Sequence, residues 1–336
     1  MMCLGRSGDM NKKYWNNRNV LITGFEGFLG SNLTKTLLGT KAKVVGLDIK
    51  TYRKETILSE ADHKKITVYK GSVTDYKLLQ KILRKYSIDT IFHLAAEAIV
   101  GRSEKNPRIA FETNIVGTWE VLEAARQHPD TKAVVVASSD KAYGSHKKLP
   151  YREDMPLMAK HPYDVSKSCA DLIAHTYAHT YGMSVSITRC GNIYGPGDFH
   201  FSRLIPDAIR CALRNETLFI RSDGKYVRDY VYVDDIIDGY IRLAERIPHS
   251  NLSGEAFNFS NEEPLTVLNV VERIAKSVGG ALRYKILDSA KYEIRDQYLE
   301  SQKSRDILSW RPRYTFEKGV KATLKWYKAL LGTGKI

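Results

Sequence analysis

The sequence predicts an α/β fold: a doubly wound parallel sheet carrying a smaller, interwoven α/β lobe toward the C-terminus. Three observations point there. Short apolar runs alternate with segments of helical period through the first half of the chain, a three-glycine loop joins the first run to the first helical segment, and the rhythm changes after about residue 192. A chain of 336 residues with 43% hydrophobic content is long enough to bury one large core or two moderate ones.

In order along the chain, "NVLIT" (19–23), "KVVGL" (43–47), "ITVY" (66–69), "TIFHLA" (90–95) and "AVVVAS" (133–138) are rich in β-branched residues without strict alternation, as strands covered on both faces are. Helices are predicted near 28–38, 75–86 and 107–127, the last with Trp119, Val121, Leu122 and Ala125 at helical spacing. A further helix over 163–181 leads into a sixth strand, "SVSITR" (184–189). Beyond it lie short strands such as "TLFI" and "AFNF" and helices near 234–246, 266–277 and 317–329. No flexible linker separates the halves, so the expected division is a loose leader over 1–17, a dinucleotide-binding domain over 18–191 and a substrate lobe over 192–336, interwoven with it. The leader holds three candidate starts, Met1, Met2 and Met10.

No apolar run reaches the roughly 18 residues of a membrane helix, and the polar first residues lack a signal-peptide core, which predicts a cytoplasmic address and no membrane partner. Cys3, Cys169, Cys190 and Cys211 are spaced too widely for a metal knuckle and are expected as reduced thiols, mostly buried. The net charge of +14 invites a nucleic-acid reading. Against it, the basic residues are scattered, with no long run and no interleaved stacking aromatics; a small phosphorylated substrate draws on the same field.

In "LITGFEGFLGSNL", Gly24, Gly27 and Gly30 stand between a strand and a helix, the Rossmann-type context in which glycines permit a tight turn and let the backbone approach a pyrophosphate at a helix N-terminus. Asp48 ends the second strand, 18 residues past Gly30, where a carboxylate accepts hydrogen bonds from an adenosine ribose and repels a 2′-phosphate. The cofactor predicted is NAD, although Lys50 and Arg53 leave NADP open. In "HPYDVSKSCADLIAHTYAHTYG", Tyr163 and Lys167 are four apart and share a helix face; an ammonium there lowers a phenol's pKa toward the range of a general base. The preceding strand ends in "SSDKAYG", placing Ser139, Asp140 and Lys141 where a buried strand surfaces.

From residue 18 to the end the sequence resembles the extended short-chain dehydrogenase/reductase family, and within it the sugar-nucleotide epimerases and dehydratases. The resemblance rests on "TGFEGFLG", "HLAAEAIV", "ETNIVGTWEVLEAAR", "SSDKAYG", "YDVSK", "RCGNIYGPGD", "RLIP", "VRDYVYVDDIIDGY" and "SWRPRYTFEKG". It implies that Tyr163 takes the proton of a sugar 4-hydroxyl while hydride leaves C4 for NAD, that Lys167 holds the cofactor ribose, and that Ser139 bonds the same sugar oxygen. By motif match the cofactor meets Gly24, Gly27, Phe28, Leu29, Gly30, Asp48, Ser72, Val73, Leu94, Ala95, Ala96, Asn114, Tyr163 and Lys167, and the substrate meets Glu97, Asn192, Arg203, Leu204 and Arg228. Ser72 replaces an aspartate that usually touches the adenine, so that contact is expected from the backbone of Val73.

A 4-epimerase needs no further acid or base, whereas a 4,6-dehydratase must remove the C5 proton and expel the C6 hydroxyl. The Asp140–Lys141 pair resembles that of CDP-glucose 4,6-dehydratases and of the Asp-Lys dehydratases acting on UDP-N-acetylglucosamine, with Asp140 the implied acid and Lys141 the implied C5 base, provided burial or neighbouring cations favour its neutral form. "VRDY" and "GNIYGPGD" depart toward dTDP- and UDP-sugar relatives, which leaves the base of the nucleotide open. The expected function is an NDP-sugar 4,6-dehydratase, CDP-glucose preferred; the alternatives are a UDP-sugar 4-epimerase and a non-catalytic dinucleotide sensor. The family pairing of subunits implies a homodimer through the helices at 107–127 and 163–181, with His175, Tyr177 and Tyr181 in the seam.

Overall fold

Seven parallel strands form the main sheet of the computed structural model, which describes residues 10–290 and 293–331. They are β1 (Asn19–Thr23), β2 (Lys43–Asp48), β3 (Thr67–Lys70), β4 (Thr90–His93), β5 (Ala133–Ala137), β6 (Val185–Cys190) and, from the far half of the chain, Ala256–Phe259. With that last strand at one edge, the order inward is β6, β5, β4, β1, β2, β3. The chain winds from β1 to β3 in one direction and then crosses to β4 to wind in the other. The reversal puts a crevice beyond the carboxyl ends of β1 and β4, where open α/β sheets bind their ligands.

Helices cover both faces. Phe28–Leu37 and Val233–Arg246 pack on one side, in a core containing Phe25, Leu33, Phe92, Val135, Ile236 and Phe257. Tyr76–Tyr86, Gly117–Arg126 and Pro162–Tyr181 pack on the other, over Val45, Ile91, Val134, Val136 and Ile187. The even burial of β4 and β6, without alternation, follows from this double cover.

The second lobe is built on short strands, of which the one in "TLFI" was expected from the sequence. The strand β7 (Asn192–Tyr194), β8 (Leu218–Ile220) and β9 (Val227–Tyr232) precede the edge strand Ala256–Phe259, here β10. The strands β11 (Pro264–Thr266), β12 (Tyr284–Ile286) and β13 (Asp296–Gln297) follow it. In the smaller sheet β9 is flanked by β11 and β13 and also pairs with β7, while β8 and β12 form a separate ribbon. These strands are two to six residues long, too short for a repeating pattern to show.

Two expectations are corrected. Residues 10–17 are not loose: Trp15 is fully buried, stacks on Phe92 and donates its indole N–H to Glu245 at 2.6 Å, and the Tyr14 hydroxyl donates to the Ala244 carbonyl. Residues 1–9, with Cys3, lie outside the described residues. The helix expected over 107–127 is interrupted: α-helical Pro107–Phe111 runs into a π-helical turn, Glu112–Val116, before Gly117–Arg126. The π turn carries Asn114. Cys190 and Cys211 are buried and Cys169 half-buried, all three free. Among the described residues no helix is long and apolar enough to cross a membrane.

Candidate active site

The crevice opens into a cleft of about 1070 Å³, floored by the sheet and closed on its far side by the second lobe. At its sheet end, the loop after β1 turns through Gly24, whose φ of +72° suits glycine and at which a Cβ would come within 2.8 Å of the Ala95 backbone. At Gly30 an added Cβ would collide with the Gly24 carbonyl, so the helix touches the loop only because Gly30 lacks a side chain. Phe28 and Leu29 open the helix, with Gly27 as its cap. The result is a side-chain-free cradle at a helix N-terminus, suited to a pyrophosphate.

Strand ends bound this cradle. The Asp48 carboxylate accepts from the Glu26 N–H at 3.2 Å and the Lys50 N–H at 3.1 Å, and burial raises its pKa. Ser72 and Val73 after β3, and Leu94, Ala95, Ala96 and Glu97 after β4, line the cleft with it, as do Lys50 and Arg53. The β4 end is fixed by buried groups that sequence reasoning passed over. The Thr23 hydroxyl accepts from the Leu94 and Ala95 N–H groups and bonds His93 Nδ1 at 2.9 Å, while His93 Nε2 bonds Thr118 at 3.0 Å. Burial, helped by the charge of Lys167, holds the His93 imidazole down to about 3, so it is neutral.

Asn114, expected at the cofactor, is buried behind the loop after β4. Its Oδ1 accepts from the Glu97 N–H at 2.8 Å, and its Nδ2 donates to the Glu97 carbonyl at 3.1 Å and to Ser166 Oγ at 2.8 Å. The π turn widens the helix enough to aim this amide at the loop after β4, in keeping with the occurrence of such bulges near functional sites. Asn114 supports the wall from behind.

At the centre of the cleft, β5 delivers Ser138 and Ser139 to a short turn, Asp140–Tyr143, facing the N-terminal end of Pro162–Tyr181. Ser139, Asp140, Lys141, Tyr163 and Lys167 all line the cleft. The Ser139 hydroxyl donates to Asp140 Oδ1 at 3.0 Å, and Tyr163 lines the cleft with it. Burial pushes the Asp140 carboxyl up, and its second oxygen has no partner. At Tyr163 burial raises the pKa, and the charge of Arg203 opposes it. The Lys167 amine donates to the Ala137 carbonyl at 2.8 Å, and burial holds it down to about 8. Asp164, quoted in "YDVSK" but given no role, also lines the cleft; it is buried, has an unpartnered oxygen, and is pushed up to about 6 by burial.

The far wall is cationic. Arg203 caps the helix Leu204–Arg214 and donates to Asp198 at 3.2 Å, with Leu204 beside it on the wall. Arg228 on β9 is buried, donating to the Val227 and Arg295 carbonyls, and lies 3.4 Å from Glu293. Asn192 on β7 donates to the Asp229 carbonyl at 3.4 Å. Arg221 and Glu293 line the wall too, and the sequence carried no periodic or motif signal for either.

A doubly wound sheet with a glycine cradle, a Tyr-x-x-x-Lys helix and a serine at the facing strand end defines an enzyme of the short-chain dehydrogenase/reductase class. More narrowly, the family model described as GDP-mannose 4,6 dehydratase matches residues 21–323, and the chain belongs to that family. It is 32% identical over 334 residues to a dTDP-glucose 4,6-dehydratase of Xanthomonas campestris pv. campestris, covering 91% of this chain and 92% of that one. Identity to the CDP-glucose 4,6-dehydratase of Salmonella typhimurium is 29% over 337 residues, covering 95% and 93%. Among solved structures, the dTDP-glucose 4,6-dehydratase DesIV of Streptomyces venezuelae, with NAD and TYD bound, superposes with a TM-score of 0.83 at 31% identity over 94% of this chain and 98% of that one. Sugar-nucleotide 4-epimerases are similar as well.

Proposed function

We propose that this chain is an NAD-dependent NDP-sugar 4,6-dehydratase that converts an NDP-hexose, CDP-glucose preferred, to the NDP-4-keto-6-deoxyhexose. The observation that carries the reading is the Asp140–Lys141 pair, set in the cleft beside the Ser139, Tyr163 and Lys167 that C4 oxidation requires. The cofactor fits the residues present: Gly24 and Gly30, where an added Cβ would collide with neighbouring backbone, keep the turn before the helix tight enough for a pyrophosphate to approach its N-terminus, and Asp48 stands where an adenosine ribose is held. Bound NAD supplies a hydride acceptor at C4 and a hydride donor at C6.

The chain's own groups move the protons. Tyr163 takes the 4-hydroxyl proton, its phenolate favoured by the charge of Arg203 against the cost of burial, with Ser139 beside it in the cleft. The new ketone acidifies C5, whose proton passes to Lys141. Asp140, whose carboxyl burial pushes up, gives its proton to the departing C6 hydroxyl, which leaves as water. Once C6 is reduced, the Lys141 ammonium returns a proton to C5. Arg203 and Arg228 supply charge for the diphosphate, a guanidinium fork suiting its paired oxygens.

The protein is read as a homodimer in the cytoplasm, where its free thiols stay reduced. Ile109, Trp119, Leu172 and Tyr181 lie exposed on the two helical segments of the expected seam, as does His175, while Tyr177 is half-buried and donates to Glu123. A UDP-sugar 4-epimerase is the second reading, favoured by the likeness to solved epimerases. The test is incubation with CDP-glucose, dTDP-glucose, UDP-glucose, UDP-N-acetylglucosamine and GDP-mannose. The alkaline absorbance of a 4-keto-6-deoxysugar supports dehydration, and a C4 epimer without that absorbance refutes it.

A further inference from the structure

We infer that Gln297 is the positioning residue that aims Lys141 at the sugar. The inference rests on the dehydratase reading and adds to it a residue from the other lobe. Lys141 Nζ donates to Gln297 Oε1 at 3.1 Å across 156 residues of sequence. Gln297 is fully buried, and this is the one side-chain hydrogen bond it makes among the described residues, its Nε2 being unpartnered. A buried amide that leaves one polar atom unsatisfied is costly to keep, and a leucine or methionine would fill the space without that cost.

Chemistry explains the choice of a neutral acceptor. A lysine that removes a carbon-bound proton must be held in place and must also be able to lose its own proton. A carboxylate at position 297 would hold the amine but favour its charged form. The groups facing Lys141 are already mixed in sign: Asp140 in its own turn, Asp164 on the facing helix, and Arg228 on β9, whose charge reaches Asp140. Tyr163 and Lys167 lie on the facing helix as well. An uncharged amide sets direction without tipping that balance.

The placement also links binding to chemistry. The strand β13 pairs with β9 in parallel, with Gln297 opposite Arg228 in the register. The arginine read as the diphosphate clamp and the amide that holds the base therefore share one ladder, and a substrate seated on β9 meets an amine already fixed from β13.

The test compares Gln297→Glu and Gln297→Leu with the parent enzyme under single-turnover conditions. C4 oxidation is followed as absorbance at the reduced-nicotinamide band, and elimination as 4-keto-6-deoxysugar. Both variants are expected to oxidise C4 at close to the parent rate and to lose roughly 10- to 100-fold in elimination, the scale of a misplaced catalytic group. In Gln297→Glu the acid limb of the elimination profile moves to higher pH, and in Gln297→Leu it stays. Elimination at the parent rate in both variants, or an equal loss in both steps, overturns the role. If Gln297→Leu does not fold, the nearly isosteric Gln297→Glu decides alone through its pH profile. A parent enzyme that makes no 4-keto-6-deoxysugar sinks the dehydratase reading instead, so the two failures are distinct.

Discussion

Tyr163 on the helix Pro162–Tyr181 and Lys141 at the turn after β5 divide the reaction, and each makes a separable prediction. Replacing Tyr163 with Phe removes the base for C4 oxidation, so turnover should fall roughly 10²- to 10⁴-fold while NAD affinity, measured by fluorescence quenching, stays within a few fold. Replacing Lys141 with Ala should leave C4 oxidation in place and stop elimination; the reduced cofactor then accumulates without product. Loss of oxidation in that variant would assign Lys141 to the first step. These residues were legible in the sequence because helix spacing fixes Tyr163 against Lys167 and a strand end exposes Ser139, Asp140 and Lys141. The partners of those groups were not. The helix turn that predicts a shared face for Tyr163 and Lys167 does not reveal that the Lys167 amine turns to the Ala137 carbonyl, nor that burial and Arg203 dominate the phenol.

At the scale of elements, the glycine cradle and the β4 end are the parts that substitutions probe most sharply. Gly30→Ala drives a methyl group into the Gly24 carbonyl. We expect about 1–3 kcal/mol of lost stability, read by denaturant unfolding, together with weakened NAD binding. His93 predicts a pH dependence. Its pKa drops from 6.5 to about 3 on folding, so the unfolded chain binds the extra proton between those values. The stability it contributes is full above pH 6.5 and is lost as pH falls toward 3, amounting to about 2 kcal/mol at pH 5. Asp164 and Asp229, raised to about 6 and about 7, act with the opposite sign over part of that window, so the whole-protein slope understates the effect. The difference between parent and His93→Gln isolates it: the variant should lose less stability between pH 6.5 and 5. Equal losses would mean the imidazole titrates alike in both states. None of this network was legible from pattern. Thr23, His93 and Thr118 stand on a strand or helix otherwise read as core, and the π turn that aims Asn114 looks in sequence like continuous helix.

For the whole molecule, the alternation of strand and helix fixed the wound sheet because both of its faces are covered, and every strand of the first half was visible as an apolar run. The second lobe was visible only in outline, since its sheet is assembled from strands whose partners lie tens of residues away, such as Gln297 opposite Arg228. The +14 charge belongs to the same scale. Arg53, Arg203, Arg221 and Arg228 bring part of it into the cleft, where a dinucleotide and a nucleotide sugar each carry a diphosphate. A rise in KM for the nucleotide sugar with added salt is therefore expected, while a flat KM would put the attraction elsewhere. The central claim, that the pair after Ser139 turns an oxidised sugar into a dehydrated one, is tested most directly by running the reaction in D2O with CDP-glucose and recording the product by NMR. Dehydration by Lys141 and Asp140 predicts a 4-keto-6-deoxysugar carrying solvent deuterium at C5 and the original C4 hydrogen at C6. A C4 epimer with no deuterium at C5 would contradict it.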